Sequence, residues 1–269
     1  MSGMSILAGK RGLVMGVAND HSIAWGIAKT AHDLGAEIAL TYQGEGFGRR
    51  VRPLADSIAS PLVLPADVLD ATSLDALFAE IERKWGRLDF VVHAIAYSDK
   101  SELTGRYADT SRENFLRTME ISCYSFVDVT RRAAALMSGG GSALTLTYLG
   151  AQRVTPNYNV MGVAKAALEA SVRYLASDLG PDGVRVNALS PGPMRTLAGS
   201  AISGARRVFK ASGMAAPLRR NASLEEVGGA AAFLLSDLGA GVTGEVVFVD
   251  GGHHAMGMAP LEQTPVADG

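Results

Sequence analysis

The sequence predicts an α/β fold, a doubly wound sheet of about seven mostly parallel strands with helices on both faces. Three observations predict it. β-rich apolar runs alternate with longer segments of helical period, a glycine-bearing turn follows the first run, and the 48% of apolar residues suffices for a core on both faces of a sheet.

The elements follow in chain order. Residues 11–17 (RGLVMGV) read as the first strand, 22–34 as a helix, 37–43 as the second strand and 62–68 as the third. An amphipathic helix over 73–85 places Leu74, Leu77, Phe78, Ile81 and Trp85 on one face. Residues 88–95 (LDFVVHAI) form the fourth strand, and 112–137 reads as one extended helix stopped by the glycines at 139–141. Residues 142–148 (SALTLTY), 184–189 and 245–249 complete the strands, with helices over 158–179 and 224–236. Residues 1–258 are therefore expected to form a single dinucleotide-binding and catalytic domain of the Rossmann type, and 259–269, with two prolines and little periodicity, a flexible tail.

Composition narrows the function classes. A formal charge of −2 argues against a nucleic-acid footprint, and no run approaches the length of about 18 apolar residues needed to span a membrane. With no secretory signal pattern at the start and Cys123 as the only cysteine, a cytoplasmic protein without disulfides is expected. Cys123 lies in an apolar run and reads as a buried structural thiol. No metal is expected.

Gly16, Ser22 and Gly26 punctuate the passage from first strand to first helix (GVANDHSIAWG), where backbone N–H groups could meet a pyrophosphate. The spacing departs from G-x-G-x-x-G at Val17 and Ala18, and an ordinary turn with Ser22 as N-cap would look the same. Gln43 ends the second strand, where a side chain meets the adenosine ribose. Its neutral amide suits hydroxyls and offers no charge to a 2′-phosphate, which favours NADH, with Arg49 and Arg50 as the cations that could fold back. Asp67 and Val68, at the end of the third strand, could contact adenine or simply cap a turn.

Tyr158 and Lys165 stand seven residues apart in YNVMGVAK. At about 100° per residue they share one helix face to within roughly 20°, about 10.5 Å apart along the axis, a spacing suited to two parts of an elongated cofactor–substrate pair. Lys165 leans toward the helix start and can reach ribose hydroxyls. A tyrosine at a helix start and a solvated lysine would give the same pair.

The segments GVANDHSIAWGIA, TYQ, ADV, TYLGAQRVTPNYNVMGVAKAALEASVRYLA, GVRVNALSPGPMRTLA and TGEVVFVDGG, spread from Leu7 to Gly252, resemble the bacterial enoyl-acyl carrier protein reductases, a divergent branch of the short-chain dehydrogenase/reductase superfamily. The resemblance implies NADH-dependent reduction of the trans-2 double bond of an enoyl thioester in fatty-acid elongation: hydride goes to the β-carbon and negative charge to the thioester oxygen. Commoner members of the superfamily carry Y-x-x-x-K, and their tyrosine position is Met161 here, so the spacing of seven points away from ketone chemistry.

By the same resemblance Tyr158 stabilises or protonates the enolate and Lys165 holds the nicotinamide ribose. Gly16, Ser22, Ile23, Gln43, Asp67, Val68, Ile95 and the segment Met194, Arg195, Thr196, Leu197 and Ala198 contact the cofactor. Ser98, Tyr148, Tyr158 and Met161 line the substrate, Tyr148 either as an active-site group or as an aromatic wall. His93 reads as structural rather than as a general acid. Arg206, Arg207 and Lys210 form a basic cluster suited to the acidic acyl carrier protein, or a solvated helix face. The family forms homotetramers with long helices at the interfaces. Two other classes remain open, a carbonyl reductase of the same superfamily and a non-catalytic nucleotide-binding protein.

Overall fold

The computed structural model of the chain describes residues 5–196 and 204–258. Seven strands, β1 (Arg11–Met15), β2 (Glu37–Tyr42), β3 (Leu62–Pro65), β4 (Phe90–His93), β5 (Gly141–Leu146), β6 (Val184–Pro191) and β7 (Val246–Val249), form one sheet in the order β3-β2-β1-β4-β5-β6-β7. Every pairing is parallel. The order reverses direction between β1 and β4, where Met15 pairs with His93. In such sheets the crevice beyond the carboxyl ends of these two strands is the ligand site.

Two apolar layers cover the sheet. On one face α3 (Ala71–Trp85), α5 (Ser125–Ala134) and α6 (Asn159–Leu179) pack Leu77, Ile81, Phe126, Val129, Leu168 and Val172. On the other, α1 (Ile23–Asp33), α2 (Gly44–Ser57) and a helix over Leu224–Leu235 pack Ile27, Ala31, Val51, Val227 and Ala231. Each large side chain fully buried in these layers contributes about 1.5–3 kcal/mol of transfer free energy. Gly26, read from sequence as part of the phosphate turn, lies inside α1. A Cβ there would come within 3.0 Å of Leu224 Cβ, so this glycine serves helix packing.

Three differences from the sequence expectation have local causes. Helix α2 was not among the expected elements, because Gly44, Gly46, Gly48 and Pro53 dilute its pattern, yet its Val51 and Ala55 are buried. The helix expected over 112–137 is instead α4 (Arg112–Met119), a π turn (Glu120–Tyr124) and α5. In the π turn the Ser122 hydroxyl donates to the Tyr97 carbonyl and accepts from the Tyr97 N–H, while Ser125 donates to the Ile121 carbonyl, and such side-chain bonds compete with the helix ladder. Finally, α7 (Ala205–Ala215) was not expected as an element. The predicted tail, 259–269, lies outside the described residues.

Candidate active site

The cofactor end begins where β1 leaves the sheet. Gly16 adopts φ +98°, and a Cβ there would stand 2.1 Å from the Ala94 carbonyl oxygen, so β1 and β4 can diverge at the crevice only over a glycine. Ser22 occupies the N-cap position of α1, but its side chain makes no capping bond. It turns backward instead: its hydroxyl accepts from the N–H groups of Ala18 and Asn19, both at 3.0 Å, and donates to Asn19 Oδ1 at 3.2 Å. The alternative of a plain N-cap is thereby corrected, and the serine fixes the turn that leads into the N-terminus of α1 at Ile23.

At the far end Gln43 and Asp67, from the ends of β2 and β3, meet: Gln43 Nε2 donates to Asp67 Oδ2 at 3.1 Å. Asp67 Oδ1 also accepts from the Leu69 N–H at 3.0 Å, so it does cap its turn, with Val68 half-buried beside it. Arg49 and Arg50 are exposed on α2. A cation in contact with the β2 end is Arg52, which sequence reasoning passed over. Its guanidinium bonds Glu45 twice at 2.9 Å and the Tyr42 hydroxyl at 2.9 Å, which leaves it engaged rather than available to a phosphate.

The reacting end centres on α6. Tyr158 is its N-cap residue and is buried. Its neighbours Asn157 and Asn159 lie at φ +61° and +33°, the left-handed region that asparagine tolerates best after glycine. Asn159 Nδ2 ties this entry to the carbonyl of Glu102 at 3.1 Å. Lys165 is buried, its ammonium donating to the Leu146 carbonyl at the end of β5 at 2.8 Å. Burial pushes its pKa down to about 8. Burial raises the Tyr158 phenol well above its ordinary value, with Tyr148 and Glu169 nearby adding to the shift, so the group is a protonated donor at neutral pH.

Tyr148 packs edge-on against Tyr158, and Leu103, Val160 and Met161 complete an apolar cluster around them. Ile95 is half-buried at the end of β4. Ser98 is buried with its hydroxyl turned inward, bonded to Thr118 Oγ1 at 2.9 Å and to Asn114, so its side chain organises the wall rather than projecting from it. His93 is fully buried between Ser125 and Thr145, and desolvation lowers its pKa to about 3, which keeps it neutral and structural. The Cys123 thiol is buried too, with its pKa raised by desolvation.

Beyond β6, Met194 packs on the core, Thr196 N–H donates to the Met194 carbonyl at 2.9 Å, and the Arg195 guanidinium lies over the Phe209 ring, 4.7 Å from its centroid. Leu197 and Ala198 lie outside the described residues. Arg206, Arg207 and Lys210 are exposed on α7, where Lys210, Phe209 and Met214 border a groove of about 370 Å³. Among the described residues no group of three metal-ligating side chains occurs, and no helix is long and apolar enough to cross a membrane.

Sequence reasoning missed Glu169, whose buried carboxylate joins Thr147 to Gln152. Its signal was present: an acid in phase with Tyr158 and Lys165 on the inward face of α6.

Comparison with known proteins places this geometry among relatives. A family model described as Enoyl-(Acyl carrier protein) reductase matches residues 16–254. The chain is 60% identical over 263 residues to the NADH-type enoyl-acyl-carrier-protein reductase 2 of Rhizobium meliloti, covering 98% of each chain. It is 53% identical over 256 residues to the NADH-type reductase FabI of Rickettsia felis, covering 95% of this chain and 98% of that one. The crystal structure of the Anaplasma phagocytophilum enoyl-acyl-carrier-protein reductase in complex with NAD superimposes with a TM-score of 0.93 at 57% identity, covering 97% and 99% of the two chains. The Bacillus cereus enzyme with NADP+ and indole naphthyridinone gives 0.92 at 50% identity, covering 94% and 99%.

Proposed function

Because the chain belongs to the enoyl-acyl carrier protein reductase family, we infer that it reduces the trans-2 double bond of an enoyl-acyl carrier protein with NADH, as a step of fatty-acid elongation. The observation that carries the mechanistic reading is the inward face of α6, with Tyr158 and Lys165 both buried and Met161 between them.

The residues present fit a dinucleotide. Gly16 opens the crevice, Ser22 holds the turn before Ile23 for the pyrophosphate, Gln43 faces the adenosine ribose, and Asp67 and Val68 flank the adenine. Ile95 and the segment Met194, Arg195 and Thr196 border the nicotinamide half. Lys165 binds the nicotinamide ribose hydroxyls. Bound NADH supplies the hydride that reaches the β-carbon. Tyr158 donates its phenolic hydrogen bond to the thioester oxygen, where negative charge develops, and a donor positioned for that charge acts chiefly in the transition state. The raised pKa of Tyr158 keeps the proton in place until then. Met161 leaves no phenol beside the β-carbon, which suits a conjugated double bond better than a ketone. Tyr148 and Met161 wall the acyl chain, and the backbone near Ser98 approaches it.

Exposed Arg206, Arg207 and Lys210 form the docking patch for the acidic carrier protein. The chain works as a cytoplasmic homotetramer, with α4 to α6 at the interfaces. In support, Tyr124 in the π turn and Tyr174 on α6 are 61% and 74% exposed, aromatic side chains that an interface there would cover. Sedimentation of the free protein tests the assembly.

Following NADH absorbance with a trans-2-enoyl-acyl carrier protein tests the function. Consumption with the enoyl substrate and none with matched ketones is expected. Turnover of ketones alone, or of neither, would overturn the reading in favour of a carbonyl reductase or a non-catalytic nucleotide-binding protein.

A further inference from the structure

Glu169 is 6% exposed, an acid inside the core with no place in the chemistry above. Taking a carboxylate out of water is costly unless hydrogen bonds replace the lost solvation, and an apolar residue at such a site is often at least as stable. Both oxygens of Glu169 are used. Thr147 Oγ1 donates to Oε1 at 2.8 Å, and Gln152 Nε2 donates to Oε2 at 2.9 Å.

These two partners bracket one short segment, residues 147–152, and Glu169 clips both its ends. Tyr148 stands inside the segment and meets Tyr158 edge to face. Gly150, also inside it, presses its backbone against the Tyr158 ring so closely that a Cβ would lie 2.4 Å from Tyr158 Cδ1. A Cβ on Gly162 would likewise stand 2.8 Å from the Gly150 carbonyl, so the segment is wedged against α6 over its middle as well. The segment is thus the pad on which the Tyr158 ring rests. Tyr158 caps the helix that carries Glu169, so the phenol and the clip sit at the start and in the body of one element.

We propose that Glu169 is a positioning residue for enoyl reduction: by clipping Thr147 and Gln152 to α6 it fixes the Tyr148–Gly150 pad and with it the aim of the Tyr158 hydroxyl. The proposal rests on the assignment of Tyr158 as the donor to the thioester oxygen. Lys165 is tied to the Leu146 carbonyl and its ammonium is also favoured by the Glu169 charge, so variants that keep that charge, Thr147→Val and Gln152→Leu, separate the clip from cofactor binding.

The test compares Glu169→Ala, Glu169→Gln, Thr147→Val and Gln152→Leu with the parent enzyme, measuring kcat with an enoyl-acyl carrier protein and, separately, the NADH dissociation constant by fluorescence titration. The parent's own turnover reports on the function, and the ratio of variant to parent reports on the clip. A misplacement of about 1 Å can lower a rate by about 100-fold, so Glu169→Ala is expected to lose about 10- to 100-fold in kcat, together with some NADH affinity because its charge no longer favours the Lys165 ammonium. Glu169→Gln, which keeps an acceptor for Thr147, should recover most of the loss. Thr147→Val and Gln152→Leu, which leave α6 and the Glu169 charge in place, should each lose part of the rate with an NADH dissociation constant within about 2-fold of the parent's, and they decide the matter. Unchanged kcat in these two variants, or NADH affinity falling in parallel with kcat in them, would overturn the proposal.

Discussion

The rings of Tyr148 and Tyr158 meet edge to face, their centroids 5.1 Å apart and their planes inclined at 67°. The contact supports the aromatic-wall reading of Tyr148, in which its ring, rather than its hydroxyl, bears on the Tyr158 phenol. An aromatic pair of this kind contributes about 0.5–1.5 kcal/mol beyond simple burial. Tyr148→Phe should therefore keep kcat within about 3-fold of the parent's, and Tyr148→Ala should lose about 10-fold, the ring contact gone. Steady-state rates on an enoyl thioester check both, and a larger loss in Tyr148→Phe would assign the hydroxyl a direct part.

Lys165 carries a pH dependence whose sign follows from burial. Its pKa is lowered to about 8, so the free protein loses the ammonium as pH rises through that value. Bonding to ribose hydroxyls favours the protonated form, hence NADH affinity should weaken from about pH 7 to about pH 9.5 in the parent and stay flat in Lys165→Ala, which binds more weakly throughout. The stability of the free protein runs the other way. The unfolded lysine, with its ordinary pKa of 10.5, holds its proton longer, so stability rises with pH between about 8 and 10.5. Titrations and denaturant melts across that window check both slopes.

Ser22 holds two N–H groups of the turn before α1. Its replacement by alanine frees both, and each such bond is worth about 0.5–1.5 kcal/mol. Ser22→Ala should weaken NADH binding by about 10-fold with little change in kcat at saturation. An unchanged dissociation constant would show that the turn keeps its shape without the serine.

Gln43→Arg should raise kcat/KM with NADPH by about 10-fold, one charge-assisted bond to a 2′-phosphate. Arg52 cannot substitute for that new cation while Glu45 engages it on two bonds. The ratio of NADPH to NADH efficiencies is the measurement, and an unaltered ratio would place the discrimination elsewhere.

Much of this was readable without coordinates, and the failures share a cause. All seven strands were visible as apolar runs because a parallel sheet is buried on both faces. Most of the expected strands ran one to three residues past their observed carboxyl ends. The overrun includes Gly16, Gln43, Asp67, Ile95 and Tyr148, residues that follow the carboxyl ends of their strands. Tyr158 and Lys165 could be paired because the helix period is local information. Glu169 could not be assigned a partner, since Thr147 and Gln152 reach it only through the packing of the segment after β5 against α6. The π turn was hidden for the same reason, its serine Ser122 finding Tyr97 on another segment, and Ser125 finding His93.

The spacing of seven between Tyr158 and Lys165 is the centre of the functional reading, and single-turnover hydride transfer to an enoyl-acyl carrier protein in Tyr158→Phe tests it most directly. Loss of one donor at a developing oxyanion costs about 10²–10³ in rate, so that loss is expected with the NADH dissociation constant within about 2-fold of the parent's. A single-turnover rate equal to the parent's would contradict it and remove Tyr158 from the chemistry.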